Sequence, residues 1–326
     1  MNWCHIELVQ YHDIMAYLQS IATVPDPKVR LLLRSFRGKG RFRAGSLLVT
    51  IFGDSIAPRG GEVALASLIE LARPLGLPER LVRTSVGRLA KENWVQAGRV
   101  GRYSYYRLTA RGRGEFDVAT ERIYGDSAPS WDGVWTLVLI SALRARERRD
   151  VTQALRWRGF GQIMPGVLAY PGDRAKEVNR GLPAKVPHSS ILILRGRVAS
   201  TGRDAAVISR AWDLDDLDQR YRRFVRLFEL VSRALERSSP EPVTCFVVRT
   251  LLIHEYRRIH LRDPLLPRPL LPGSWTGHTA ARLARKLYRR LFRRAEMFLS
   301  ARAHGRVGSL PPASIEALHR FGGLKP

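Results

Sequence analysis

Residues 45–109 read GSLLVTIFGDSIAPRGGEVALASLIELARPLGLPERLVRTSVGRLAKENWVQAGRVGRYSYYRLT, and this stretch decides the fold. An apolar, helix-like run covers 45–56, and the linker Ala57-Pro58-Arg59-Gly60-Gly61 follows it. A second amphipathic run covers 65–73 and stops at the turn Pro74-Leu75-Gly76-Leu77. A third starts at Pro78 and ends near Glu92. After Trp94-Val95-Gln96 comes a glycine-bounded basic loop, Gly98-Arg99-Val100-Gly101-Arg102, and then Tyr103-Ser104-Tyr105-Tyr106-Arg107-Leu108-Thr109. Helix, short turn, helix and a hairpin with a cationic tip is the order of a winged helix-turn-helix, whose second helix enters the DNA major groove.

Within the third run, Pro78 suits the start of a helix, where its missing N–H is no loss, and Glu79 complements the positive helix end. Leu81, Val82, Val86 and Leu89 follow the 3.6-residue period and are expected to form the buried stripe. The expected DNA-facing set is Arg80, Arg83, Thr84, Ser85, Arg88 and Lys91, because arginine and small hydroxyl side chains reach base edges. Gly87 leaves a gap in the helix that suits close approach to a phosphate backbone. In the hairpin, Arg99, Arg102 and Tyr103 are the expected contacts to phosphates or a narrow minor groove. The alternative reading of each is a solvated arginine face. From Arg37 to Gly125 there are sixteen Lys/Arg against eight Asp/Glu, a local net of +8. Such a balance binds phosphate through counterion release.

The whole chain is basic too. Its 326 residues carry a formal net charge of +26, which points to nucleic acid, an anionic surface or polyanionic ligands. Cys4 and Cys245 are the only cysteines, so there is no disulfide framework or zinc-spacing cluster, as suits a reducing cytoplasm. No apolar run approaches about 18 residues, so no membrane span is expected. The N-terminus lacks the pattern of a signal peptide.

Four segments are expected. Residues 1–36 form a leader of unknown role, within which Met15 offers an alternative start. Residues 37–125 form the DNA-binding domain with a linker helix over 110–124. Residues 126–203 have the order β-α-β-β-α-β, which implies a ferredoxin-like sheet. Residues 204–326 form a mostly helical domain, with an acidic turn at 213–218 and long helices over 221–237, 243–258 and 279–301. The fold class is therefore α+β. No HExxH, GxSxG, P-loop or dinucleotide fingerprint occurs, and no catalytic residue, metal ligand or cofactor is expected.

Several groups of residues carry a resemblance. They include Ser46-Leu47-Leu48-Val49-Thr50-Ile51-Phe52-Gly53-Asp54, Pro58-Arg59-Gly60-Gly61, Leu81-Val82-Arg83-Thr84-Ser85-Val86 and Gly101-Arg102-Tyr103-Ser104-Tyr105-Tyr106-Arg107-Leu108-Thr109. Further on come Arg122-Ile123-Tyr124, Trp131-Asp132-Gly133-Val134-Trp135, Gly159-Phe160-Gly161, His254-Glu255-Tyr256-Arg257-Arg258, Arg262-Asp263-Pro264, Leu270-Leu271-Pro272 and Trp275. On these residues the chain resembles the PaaX family, bacterial repressors of phenylacetate-degradation operons, from about Arg43 onward. The resemblance implies a cytoplasmic homodimer that binds double-stranded operator DNA and is released by phenylacetyl-CoA or a related aryl-acyl-CoA. It also implies a middle domain like the Cas2 nucleases, which hold a metal on an aspartate just after the first strand. Here that position reads Leu139-Ile140-Ser141-Ala142, with no carboxylate. Gly87 replaces the bulky residue usual in the family's recognition helix, and the leader is longer than the family pattern.

For the effector, His254, Arg257 and Arg258 fall at i, i+3 and i+4, so one helix face is expected to offer a ring and two guanidinium groups, with Arg262 close behind. Arginine forks suit the phosphates of a thioester, and Tyr256, Trp275 and Leu270-Leu271-Pro272 are expected to wall an aromatic acyl group. The competing reading makes His254 and Tyr256 hydrogen-bonded core residues. Two other classes stay open: a nucleic-acid binder without a ligand, and a metal-dependent nuclease of Cas2-like fold.

Overall fold

The computed structural model describes residues 44–125, 130–141, 143–183, 186–198, 204–236 and 239–324. The leader expected at 1–36 lies outside these residues. The first helix, α1, spans Ala44–Ile51. It runs on into a π-helical turn, Phe52–Ile56, and a 3-10 turn, Ala57–Arg59. Then come β1 (Glu62–Ala64), α2 (Leu65–Ala72), α3 (Glu79–Lys91), β2 (Val95–Val100), β3 (Tyr103–Leu108) and α4 (Ala110–Tyr124). The middle of the chain gives β4 (Trp135–Ile140), α5 (Ala145–Arg156), β5 (Gly161–Met164), β6 (Val167–Pro171), α6 (Ala175–Gly181) and β7 (Ile191–Gly196). The remainder supplies α7 (Asp204–Ala211), α8 (Leu214–Glu236), α9 (Pro242–His260) and α10 (Gly277–Arg302), then β8 (His304–Gly305), β9 (Gly308–Ser309) and α11 (Ile315–Leu318).

These elements divide into two compact units. The first takes the described residues up to Gly125 with those of Phe224–Arg257 and Thr279–Pro326, and the second takes those of Asp126–Arg223 and Arg258–His278. Helices read from sequence as one C-terminal domain are therefore shared between the two units.

In the first unit, Leu47, Leu48, Ile51, Phe52, Leu68, Leu71, Val82 and Val86 are fully buried. Their spacing on α1, α2 and α3 is the helical one, so each helix turns one stripe to a common core. The π turn adds a residue to the helix and drops Asp54 into the interior, a local geometry that occurs mostly where a side chain has a special task. Asp54 Oδ1 accepts hydrogen bonds from Tyr124 and Tyr288, each at 2.7 Å, and lies 3.3 Å from Arg320 Nη1. Its Oδ2 faces Arg249 Nε. Arg249 also donates to Glu296, which pairs with Arg59. A buried network thus joins the π turn, the end of α4, α9, α10 and Arg320.

The second unit holds a four-stranded sheet of order β5-β6-β4-β7, with all neighbours antiparallel. Its chain order is β-α-β-β-α-β. Val138, Ile140, Leu168 and Tyr170 face one way and pack with Val151 and Leu155 of α5 and Val178 of α6. The opposite face carries Leu137 and Leu139, in register with Leu194 and Leu192 of edge strand β7. One expectation fails here. Residues 213–218 are not a free turn, because α8 already starts at Leu214. Asp213 accepts from the Asp216 backbone N–H at 3.0 Å, as an N-cap does. Asp215 and Asp216 then sit at the positive end of the helix dipole, where carboxylates are favoured.

Candidate nucleic-acid interface

Helix α2 ends in the 3-10 turn Arg73–Leu75, and Gly76 takes a φ of 77°, which lets the chain reverse. Pro78 occupies the N-cap of α3 rather than its first turn, and its carbonyl accepts from Leu81 and Val82. Val82, Ser85, Val86 and Leu89 are the buried residues of α3, while Leu81 is half-buried at the edge of that stripe. Asn93, with a φ of 59°, closes the helix. Trp94 N–H then reaches Leu89 O at 2.9 Å and Asn93 N–H reaches Ala90 O at 3.0 Å, the two bonds of a Schellman end.

The hairpin follows directly. β2 and β3 pair from Val95↔Leu108 to Val100↔Tyr103, leaving Gly101-Arg102 as a two-residue turn. Gly101, at a φ of 56°, supplies the left-handed conformation that such turns need. The expected loop 98–102 is therefore mostly strand, and Arg99 lies within β2 opposite Ser104. Thr109 clamps the base. Its hydroxyl donates to Asn93 O at 2.7 Å and accepts from Gly112 N–H, capping α4. β3 also pairs with β1, and Arg107 binds Glu62 at 2.9 Å across that pair.

Arg80, Arg83, Thr84, Arg88 and Lys91 are all exposed along one side of α3, and Arg99, Arg102 and Tyr103 are exposed on the hairpin. Ser85 is a correction: it is buried, because it falls on the inward stripe between Val82 and Val86. Two members are partly engaged. Arg83 pairs with Glu79 one turn back at 2.6 Å, and Thr84 donates to Arg80 O at 2.9 Å. Both charges of the Glu79–Arg83 pair are over half exposed, so the pair is worth little and a stronger anion can take the arginine. Arg102 lies 5.3 Å from the centroid of the Tyr103 ring. At Gly87 the helix surface is open, and a Cβ there would meet nothing within 4 Å.

Of the residues expected for the effector, His254, Tyr256 and Arg257 fall in the first unit and Arg258, Arg262 and Trp275 in the second. His254 and Arg257 are buried in the first unit. His254 Nδ1 lies 3.1 Å from Thr50 Oγ1. Arg257 donates to the same Oγ1 at 2.8 Å and to Ser46 O and Oγ at 2.6 and 2.9 Å. Tyr256 packs on Phe224, with centroids 5.7 Å apart. His254 and Arg257 hold α9 against α1, and none of the three presents an open face. Arg258, Arg262 and Trp275 belong to the second unit. There Arg258 and Arg262 are exposed, while Trp275 is buried edge-on to Tyr221. Among the described residues, no group of His, Cys, Asp and Glu is arranged to hold a metal ion, and no helix is long and apolar enough to cross a membrane.

An exposed cationic helix backed by a hairpin of the same charge defines a class, that of proteins built to meet a polyanion. Comparison with known proteins gives the family. Residues 43–112 match the PaaX-like protein model, 128–208 the PaaX protein central Cas2-like domain and 212–301 the PaaX-like protein C-terminal domain. The transcriptional repressor PaaX of Escherichia coli (strain K12) is 36% identical over 284 residues, covering 86% of this chain and 90% of that protein. The chain belongs to the PaaX family, and it is a regulator of that family rather than an enzyme. An uncharacterised protein from Mycobacterium tuberculosis matches 71% of this chain and 89% of its own, at 20% identity and a TM-score of 0.45.

Proposed function

We propose that this chain is a transcriptional repressor whose residues 44–109 act as a winged helix-turn-helix on double-stranded operator DNA. The observation that supports this best is the undivided exposed face of Arg80, Arg83, Thr84, Arg88 and Lys91 on α3. A helix of this kind offers forks to guanine O6 and N7 and a hydroxyl to neighbouring bases. Arg99, Arg102 and Tyr103 of the hairpin supply phosphate or minor-groove contacts that set register without reading sequence. The relative named as a repressor carries the regulatory part of the reading.

The controlled genes are those of an aromatic-acid pathway of the phenylacetate type, and the releasing ligand is an aryl-acyl-CoA such as phenylacetyl-CoA. The active form is a homodimer in the cytoplasm, on the nucleoid when bound. Half-exposed Leu192 and Leu194 on edge strand β7 favour pairing with a second copy. A gel shift on the gene's own upstream region, titrated with phenylacetyl-CoA and benzoyl-CoA, tests the whole reading. Retarded DNA released by a thioester is the expected result. Equal binding to unrelated DNA, with no effect of thioester, leaves a ligand-free nucleic-acid binder instead.

A further inference from the structure

The second unit contains a cavity of about 780 Å³, within the range of small-molecule sites. It lies between α7, the start of α8 and the segment 269–272. Trp131 and Trp212 wall it together with Ile208, Leu214, Leu270 and Leu271. The indoles are fixed in place. Trp131 donates its Nε1–H to Val134 O at 2.8 Å, and Trp212 donates to Gly159 O at 2.9 Å. Behind them Trp135 donates to Asp204 Oδ1 at 2.9 Å, stands edge-on to Trp131 at 5.8 Å and stacks on Trp212 at 6.4 Å. A Cβ on Gly161 would come within 2.5 Å of the Trp212 ring, so that glycine is what lets the ring close down. With every one of these indole N–H groups already satisfied, the tryptophans offer π surface and no donor, and little of their side-chain entropy remains to be lost on binding.

The polar lining has the opposite sign to the chain as a whole. Asp204, Asp213 and Asp215 line the cavity against one guanidinium, that of Arg210, in a protein of net charge +26. The Asp215 side chain, in the first turn of α8, is exposed. Tryptophan faces attract cations, and carboxylates accept from N–H donors and repel anions. We infer that this cavity binds a small aromatic compound bearing an amine or amide donor and rejects anionic aryl compounds. The inference does not rest on the thioester reading, since a phosphate-bearing ligand is what the carboxylates disfavour.

Calorimetry on the full chain with phenethylamine, phenylacetamide and phenylacetate tests it. The amine is expected to bind most tightly, the amide next, and the carboxylate not measurably. Asp215→Asn, a change on an exposed side chain, should weaken the amine about two- to fivefold and leave the amide unchanged. Ala205→Trp, at an exposed lining position, should abolish both heats without moving the thermal midpoint. Phenylacetate binding as tightly as phenethylamine would overturn the inference. So would undiminished binding to Ala205→Trp, or no heat from either donor ligand with a folded chain.

Discussion

Arg249 Nε lies 3.1 Å from Asp54 Oδ2, and both side chains are fully sealed from solvent. The two atoms approach without the alignment of a hydrogen bond, so their attraction is coulombic, while Oδ1 takes the donors of Tyr124 and Tyr288. Such a pair does little for net stability when intact, but removing one partner strands the other charge in a low dielectric. Asp54→Asn should therefore lower unfolding free energy by about 3–5 kcal/mol. Urea denaturation followed by circular dichroism reads this directly, and a loss below about 1 kcal/mol would mean that Arg249 finds solvent or Glu296 enough.

The same carboxylate sets the acid limit of the fold. Burial by itself raises the Asp54 pKa, but Arg249 and Arg320, with hydrogen bonds from both tyrosines, hold it below the ordinary value of 3.8. Because the folded value is depressed, the stabilisation is full above the unfolded value and is lost as pH falls below it through the folded one. Stability of the wild type should thus drop below about pH 4 more steeply than that of Asp54→Asn. Denaturation midpoints between pH 2 and 7 for the two proteins check it, and parallel curves would count against the assignment.

Because a Cβ at Gly87 would stand in open space, Gly87→Ala should stabilise α3 by about 0.4–1 kcal/mol, since it restricts only the unfolded chain. If the gap serves close approach to DNA, operator affinity falls while the thermal midpoint rises. Opposite movement of the two readings is the expected outcome.

The stripe of α3 is legible in the sequence because Val82, Val86 and Leu89 repeat at the helical period. Ser85 is not, because a small hydroxyl side chain carries no apolar signal and only the packed helix shows which way it points. The chain order of the second unit, β-α-β-β-α-β, is legible as short β-rich runs separated by helical ones. The start of α8 is hidden because aspartates are common in turns as well as at helix N-termini. His254 and Arg257 have the right spacing for a ligand face, yet their partners, Thr50 and Ser46, lie some two hundred residues earlier, and local pattern holds no record of such contacts. The Asp54 network and the tryptophan-walled cavity are invisible for the same reason.

Arg257 belongs with the structural residues. Arg257→Ala leaves the hydroxyls of Ser46 and Thr50 short of a buried donor and should destabilise the first unit by about 1–3 kcal/mol. Thioester binding by the protein that remains folded should be unchanged. A selective loss of thioester affinity at unchanged stability would restore the effector role.

The helix and the hairpin are expected to fail differently. Among the described residues Arg83 has an exposed ion pair with Glu79 to give up, so it is proposed to be available to a base edge. Arg83→Ala should cost about 1–3 kcal/mol of operator affinity and narrow the gap between operator and unrelated DNA. Arg99 lies beside the two-residue turn of the hairpin and Arg102 within it, where they are expected to meet phosphates whatever the sequence. Their double replacement by alanine should weaken operator and unrelated DNA alike. It should also flatten the plot of log affinity against log salt by roughly one unit for each phosphate no longer neutralised. Fluorescence anisotropy with both DNAs at several salt concentrations separates the two effects. An unchanged salt slope in the hairpin variant, or an unchanged specificity ratio in Arg83→Ala, would remove that element from the interface.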